Sequence, residues 1–258
     1  MFDYIIIGAG PGGLGLAYRL KTKDNKIGII ENDKWGGTCP NYGCDPTKMM
    51  MAVVEAKSRV EQLKGQGISG ELNIDWKGLK SRKLNITDPY EKSTFTGLKN
   101  AGIETIYGSA TFNDQGELEV EGKTYQAKTY IIATGSRPRL LDIAGKEFLK
   151  TSNDFLALEE FPAQISFLGS GPISLELAQI AKAAGSDVTI ISRKKARVAH
   201  FDEEMGQEFI NYLKAQGIKF IEDISVNKVE KVADGFLLTD GTDFEHKTDL
   251  VIAGVGRQ

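Results

Sequence analysis

Two stretches of this 258-residue chain are written on one plan, and that doubling limits the folds open to it. "FDYIIIGAGPGGLGLAYRLK" begins with an apolar, β-branched run, Tyr4 to Ile7, and then meets Gly8-x-Gly10-x-x-Gly13. A helical pattern follows through Leu14, Ala17 and Leu20, and "KIGIIEND" supplies a second strand ending at Glu31. Strand, glycine turn, helix, strand and acid, in that order, form the dinucleotide-binding fingerprint. The first glycine permits the tight turn, the second lets backbone approach a pyrophosphate, and the third lets helix pack on strand. The helix N-terminus then offers unpaired amide donors to the phosphates. Glu31, 18 residues past Gly13, stands where an acid accepts from a ribose hydroxyl.

The second copy is "AQISFLGSGPISLELAQIAKAAGSDVTIISRKK". Ile165 to Leu168 is its first strand, Gly169-x-Gly171 its turn, and Val188 to Ile191 its next strand. Ser174 takes the place of the third glycine and is small enough to keep helix and strand close. Each half later closes with an apolar strand, "TYIIATGSRP" and "DLVIAGVGRQ", preceded by alternating stretches that read as small antiparallel meanders. The expected fold class is α/β: two Rossmann-like domains, each a parallel sheet with helices plus a meander. Two copies imply two nucleotide sites. The expected boundary lies in the polar stretch 144–153, giving domains 1–147 and 148–258.

The two ribose positions differ. Where the first copy has Glu31, the second has Ser192 followed by Arg193, Lys194, Lys195 and Arg197. An acid repels a 2′-phosphate, whereas an arginine fork pairs with one. The first site should therefore take a ribose with free hydroxyls, and the second should prefer NADP(H) over NAD. The plainer reading of 193–197 is a solvated basic loop.

Glycine, 29 of 258 or about 11% where ~7% is usual, fits a chain with several sharp turns and close backbone approaches. A net charge of -3 argues against nucleic acid as the partner. No apolar run reaches the ~18 residues a membrane span needs, and the N-terminus lacks a signal-peptide pattern. A cytoplasmic location is expected. The only cysteines, Cys39 and Cys44, sit five apart in "WGGTCPNYGCDPTK". Two thiols make a poor metal site without nearby histidines, and His200 and His246 are remote in sequence, so no metal is expected and redox chemistry leads.

Here a resemblance becomes specific. "GGTCPNYGCDPTK" resembles the redox-active signature G-G-T-C-x-N-x-G-C-x-P-x-K of the pyridine nucleotide–disulfide oxidoreductases of the glutathione reductase and dihydrolipoamide dehydrogenase type. Gly36, Gly37, Thr38, Cys39, Asn41, Gly43, Cys44, Pro46 and Lys48 all match. The resemblance extends over essentially the whole chain. It implies FAD in the first domain, NAD(P)H in the second, and electrons passing from NADPH through FAD to a Cys39–Cys44 disulfide and on to a disulfide substrate. Cys39 would be the interchange thiol and Cys44 the thiol against the flavin. A helix beginning near Pro46 would favour the thiolate. Lys48 and Glu176 match a lysine–glutamate pair near the flavin. Gly37, Thr38, Ala110, Thr134 and Gly135 match positions lining FAD, and Gly256 belongs to the closing "VIAGVGR" motif.

Three positions depart from the pattern. Asp45 replaces a commonly apolar residue, and its charge should raise the nearby thiol pKa. Pro172 stands where glutathione reductases often carry a gating tyrosine. Only Arg193 matches the arginine pair expected around a 2′-phosphate; Ala199 falls near the second position, and Arg197 is the candidate substitute. In the family, "G-R-x-P-N" leads on to a second FAD-contacting segment and a dimerisation domain that supplies a histidine–glutamate proton donor. This chain ends at Gly256-Arg257-Gln258, so it reads as a truncated form. Neither histidine fits the donor position, and both read as surface residues. Homodimerisation is expected only of the full-length protein. The alternatives are an NAD-dependent, dihydrolipoamide dehydrogenase-like enzyme or a nucleotide-binding fragment without turnover.

Overall fold

The structure, a computed structural model, describes residues 1–198 and 201–258. The chain starts with β1 (Phe2–Ile7), α1 (Pro11–Leu20), β2 (Ile27–Glu31), a short α2 (Thr38–Tyr42) and two long helices, α3 (Cys44–Gln62) and α4 (Trp76–Asn100). Five strands follow: β3 (Glu104–Tyr107), β4 (Ala110–Phe112), β5 (Leu118–Val120), β6 (Lys123–Tyr125) and β7 (Ala127–Ile132). Then come a 3-10 turn (Lys146–Phe148), α5 (Ser152–Ala157), β8 (Gln164–Leu168), α6 (Pro172–Ala183), β9 (Asp187–Ile191), α7 (Glu203–Ala215) and β10 (Lys219–Ile221). β11 (Lys228–Val232), β12 (Gly235–Thr239), β13 (Glu245–Thr248) and β14 (Leu250–Ala253) complete the described elements.

Two compact units emerge, each discontinuous in sequence. The first comprises 1–46 and 82–136, the second 47–81 and 137–258. This division departs from the contiguous split at 147/148 expected from the sequence, because segment 47–81 packs with the later residues. In the first unit a parallel sheet runs in the order β3-β2-β1-β7, and β4-β5-β6 form an antiparallel meander. Side chains alternate across β1: Ile6 packs with Ile29, Ala17, Trp35 and Leu98, while Ile5 and Ile7 pack with Ile30, Ile106 and Leu118. Burial on both faces is why the run reads as continuously apolar rather than alternating.

The second unit repeats this architecture with β10-β9-β8-β14 parallel and β11-β12-β13 antiparallel. Ile165 and Phe167 of β8 join a core that includes Phe155, Leu175 and Val188, and also Met50 and Leu79 from segment 47–81. Leu168 faces the other side with Ile191, Val229 and Val251. The α/β class with parallel sheets and meanders is what the structure shows. Two long helices, α3 and α4, had no counterpart in the sequence reading beyond a helix start near Pro46.

Candidate active site

In the first unit, β1 delivers the chain to a turn that only small residues can make. Gly8 has φ +109, and a Cβ there would lie 2.3 Å from the Ala133 carbonyl oxygen. A Cβ on Gly13 would lie 1.9 Å from the Gly8 carbonyl oxygen, so the helix sits against the turn itself. α1 opens at Gly10 with no side-chain cap, Pro11 in its first positions and no acidic residue in the first turn. Its amide donors are thus free of side-chain competition, a donor set that suits an anionic pyrophosphate. At the end of β2, one Glu31 carboxylate oxygen accepts from the Ala9 N–H at 2.9 Å, and the other accepts from Asn32 at 2.9 Å and Asp33 at 3.0 Å. The acid therefore ties strand to turn while keeping lone pairs for a hydroxyl donor. Ala110 starts β4, and Thr134 and Gly135 follow β7 with both residues exposed.

The cysteine motif begins at the same turn. A Cβ on Gly37 would lie 2.5 Å from Gly10 Cα, so the two glycine segments touch backbone to backbone. Asn41 explains its place in the motif: its amide donates to the Trp35 carbonyl at 3.2 Å and the Gly37 carbonyl at 2.9 Å, closing α2 onto the loop. Thr38 is the first residue of α2, Cys39 the second, and Cys44 opens α3. Both cysteines are free thiols, near enough for Cys44 to act on the ionisation of Cys39. Cys39 is half-buried and Cys44 exposed. The expected depression of the thiol pKa by a helix start near Pro46 does not hold for Cys39. Burial first, then Cys44 and the Asp45 charge, push it up to about 11. Asp45 acts in the direction expected of it.

In the second unit, Gly169 (φ +95) turns the chain so tightly that a Cβ would meet the Gly254 carbonyl oxygen at 2.6 Å. α6 also opens at an uncapped glycine, Gly171, with Pro172 in its first positions and no acid in the first turn. Ser174, at the third-glycine position, is fully buried, and its hydroxyl has no hydrogen-bond partner. Close packing is kept by a glycine on the facing strand end: a Cβ on Gly254 would come within 1.8 Å of Ser174 Oγ. A cleft of about 340 Å³ opens over this turn, with Gly169, Gly171, Arg193, Val255 and Gly256 on its walls. Arg193, Lys194, Lys195 and Arg197 are exposed, while Ser192 is buried and donates its hydroxyl to the Lys194 carbonyl at 2.7 Å.

Lys48, on α3, pairs with the Glu176 carboxylate on α6. The lysine is exposed and the glutamate half-buried. His246 differs from the surface placement expected of it: it is half-buried, its Nε2 bonded to the Ser166 hydroxyl at 2.9 Å, and burial lowers its pKa. Ala199 and His200 lie outside the described residues. Among those residues no cluster of side chains suited to a metal ion occurs. Glu222 and Gly254, which shape the basic rim and the second cleft, were not singled out in the sequence: Glu222 belongs to no motif, and Gly254 stands in the closing "VIAGVGR" without any local sign that it faces Ser174.

A family model described as pyridine nucleotide-disulphide oxidoreductase matches residues 2–258. The chain belongs to that family. It is 31% identical to glutathione reductase of Yarrowia lipolytica, over 100% of this chain and 59% of that protein. It is 32% identical to dihydrolipoyl dehydrogenase of Mycoplasma genitalium, over 99% of this chain and 58% of that protein. The solved structure of an HOCl-induced flavoprotein disulfide reductase, RclA from Escherichia coli, superposes with a TM-score of 0.87 at 24% identity, a likeness of fold. It covers 100% of this chain and 57% of that one. The chain thus spans somewhat more than half the length of these relatives.

Proposed function

We propose that this chain is the nucleotide-binding and redox-active part of an FAD- and NADPH-dependent disulfide reductase, most similar in activity to glutathione reductase. The observation that carries the reading is the Cys39–Cys44 pair, both free thiols, set beside a dinucleotide turn through the Gly10–Gly37 contact. Gly8, Gly10, Gly13, Glu31, Gly37, Thr38, Lys48, Ala110, Thr134 and Gly135 would hold FAD; Gly169, Gly171, Arg193, Arg197 and Gly256 would hold the nicotinamide nucleotide.

Bound there, FAD would supply two-electron chemistry linking the reduced nicotinamide to sulfur. The chain's own part begins at sulfur. Two electrons and two protons open the Cys39–Cys44 disulfide to two thiols. Cys39, once deprotonated, attacks a substrate disulfide, forming a mixed disulfide and expelling one substrate thiolate. Cys44 then attacks the Cys39 sulfur, restoring the internal disulfide and releasing the second thiol. Asn41 ties α2 to the loop through its two amide bonds, and Lys48 is ion-paired with Glu176. The raised Cys39 pKa means that deprotonation needs a base, a task the family resemblance gives to a histidine of a further domain. Such a protein acts as a homodimer in the cytoplasm; among the described residues no helix is long and apolar enough to cross a membrane.

NADPH is preferred over NADH because the position that would carry a ribose-reading acid is Ser192, whose hydroxyl is committed to backbone, while Arg193 lies on the cleft wall. A second reading, dihydrolipoyl dehydrogenase using NAD, draws on a relative of that name at 32% identity. The test is anaerobic: the purified chain is loaded with FAD, followed by its visible absorption, and titrated with NADPH or NADH while protein thiols are counted. The reading expects two new thiols per chain with NADPH, at much lower concentration than with NADH. A flavin-loaded chain in which reduced nucleotide generates no thiols refutes the electron path. Equal or better use of NADH transfers the assignment to the second reading.

A further inference from the structure

The basic rim of the second cleft is not a free loop. Ser192 N–H donates to the Ile221 carbonyl at 2.9 Å and Ile224 N–H returns to the Ser192 carbonyl at 3.0 Å, latching the strand ends together. Between those latches lie Glu222 and Asp223, the latter in the left-handed region at φ +60. From there Glu222 reaches to the basic turn: one carboxylate oxygen accepts from the Ala196 N–H at 2.7 Å, and the other lies 3.7 Å from the Lys214 ammonium. Ala196 itself is buried in the core between exposed Lys195 and Arg197. The same segment continues into the cleft wall through Ile224 and Val226.

A turn with four cations in five residues repels itself, and an unheld one would splay its side chains into solvent. The structure assigns to Glu222 the role of holding it. We propose that Glu222 is a positioning residue for 2′-phosphate recognition: its bond to the Ala196 N–H fixes turn 193–197 so that Arg193 on the wall and Arg197, next to the anchored amide, share one phosphate. The role rests on the NADP(H) reading above. It is a role for hydrogen-bond geometry rather than for charge, because a negative group near the rim by itself weakens phosphate binding.

The two contributions have opposite signs in the experiment. Calorimetric titration of the full chain uses 2′,5′-ADP and 5′-AMP, which differ only in the 2′-phosphate and need neither FAD nor turnover. The wild type binds 2′,5′-ADP at least about tenfold more tightly, as expected for charge-assisted phosphate contacts. Glu222→Ala lowers 2′,5′-ADP affinity about tenfold, the worth of one hydrogen bond to a charged group, and leaves 5′-AMP unchanged. Glu222→Gln keeps an acceptor for Ala196 and loses the charge, so it binds 2′,5′-ADP as well as the wild type or better. A wild-type ratio near one overturns the NADP(H) reading and this role with it. A wild-type preference that Glu222→Ala leaves intact overturns the role alone. So does a Glu222→Gln variant as weak as the alanine, or a parallel loss of 5′-AMP binding.

Discussion

Replacing Gly254 with alanine tests how the second glycine turn tolerates serine at its third position. The added Cβ would lie 1.8 Å from Ser174 Oγ, 3.2 Å from Ser174 Cβ and 3.4 Å from the Leu168 carbonyl oxygen. Ser174 is fully buried on α6, so its hydroxyl has no open space to swing into and helix or strand must shift by more than an ångström. Overpacking of this kind costs typically ~1–3 kcal/mol, and the depth of the clash places Gly254→Ala at about 2 kcal/mol. Ser174→Gly removes the obstruction. It gives up about 0.5 kcal/mol of helix propensity but also removes an unpartnered buried hydroxyl, a relief of ~1 kcal/mol. The double variant should therefore return to within about 1 kcal/mol of the wild type, a coupling of about 2 kcal/mol. Urea unfolding can be read in this unit alone, since its tryptophan is Trp76, packed edge-on against Phe161, and Trp35 of the other unit can be replaced by phenylalanine. A Gly254→Ala midpoint equal to the wild type, or a double variant no better than the single, refutes the reasoning.

Burial lowers the His246 pKa from its ordinary 6.5. Below that value the unfolded chain takes up a proton that the folded chain resists, so stability present above it is lost as the pH falls; His246→Asn should flatten the drop in urea midpoint between about pH 7.5 and about pH 5.5, and identical slopes would contradict it. With Cys39 pushed up to about 11, iodoacetamide should label it slowly in the reduced chain near neutral pH and steadily faster towards that value, and Asp45→Asn should speed the reaction; peptide mapping separates it from Cys44. Labelling at the rate of an ordinary thiol at neutral pH would contradict the burial argument. Glu31→Ala deprives three backbone amides of their acceptor and should cost ~1 kcal/mol before any FAD is added, as well as weakening FAD retention measured by absorbance after dialysis. Unchanged stability would show that water replaces the carboxylate at no cost.

Strong local patterns were readable in the sequence because the reason for each residue is local. Ile5, Ile6 and Ile7 demand burial on both faces, and Gly8 and Gly169 demand a backbone only glycine takes readily, so both strand–turn–helix units stand where the pattern put them. The long α4 was not readable: it carries Pro89 in its interior and glycines at 78 and 97, residues that argue against a helix until tertiary packing of Leu79 and Leu98 overrides them. Ser192 shows the limit on the chemical side. Its identity told of a missing acid, but its actual work, holding the Lys194 carbonyl, depends on a turn that spacing does not reveal. Cys39 shows it again: a helix start argued for an easier ionisation, whereas burial, visible only in three dimensions, argued for a harder one and prevailed.

Segment 47–81, which leaves the first unit to complete the core of the second, has a consequence for how the chain can be dissected and synthesised. No single cut yields two self-sufficient pieces. A piece starting at Arg137 lacks Met50 and Leu79 and presents raw apolar surface around Phe155 and Leu175, an invitation to aggregate. On the ribosome, α3 and the start of α4 emerge well before Phe155 and Leu175, their partners in that core, and wait with those side chains uncovered. A permuted gene that moves 47–81 next to 137 would shorten that wait and make the second unit continuous for the first time.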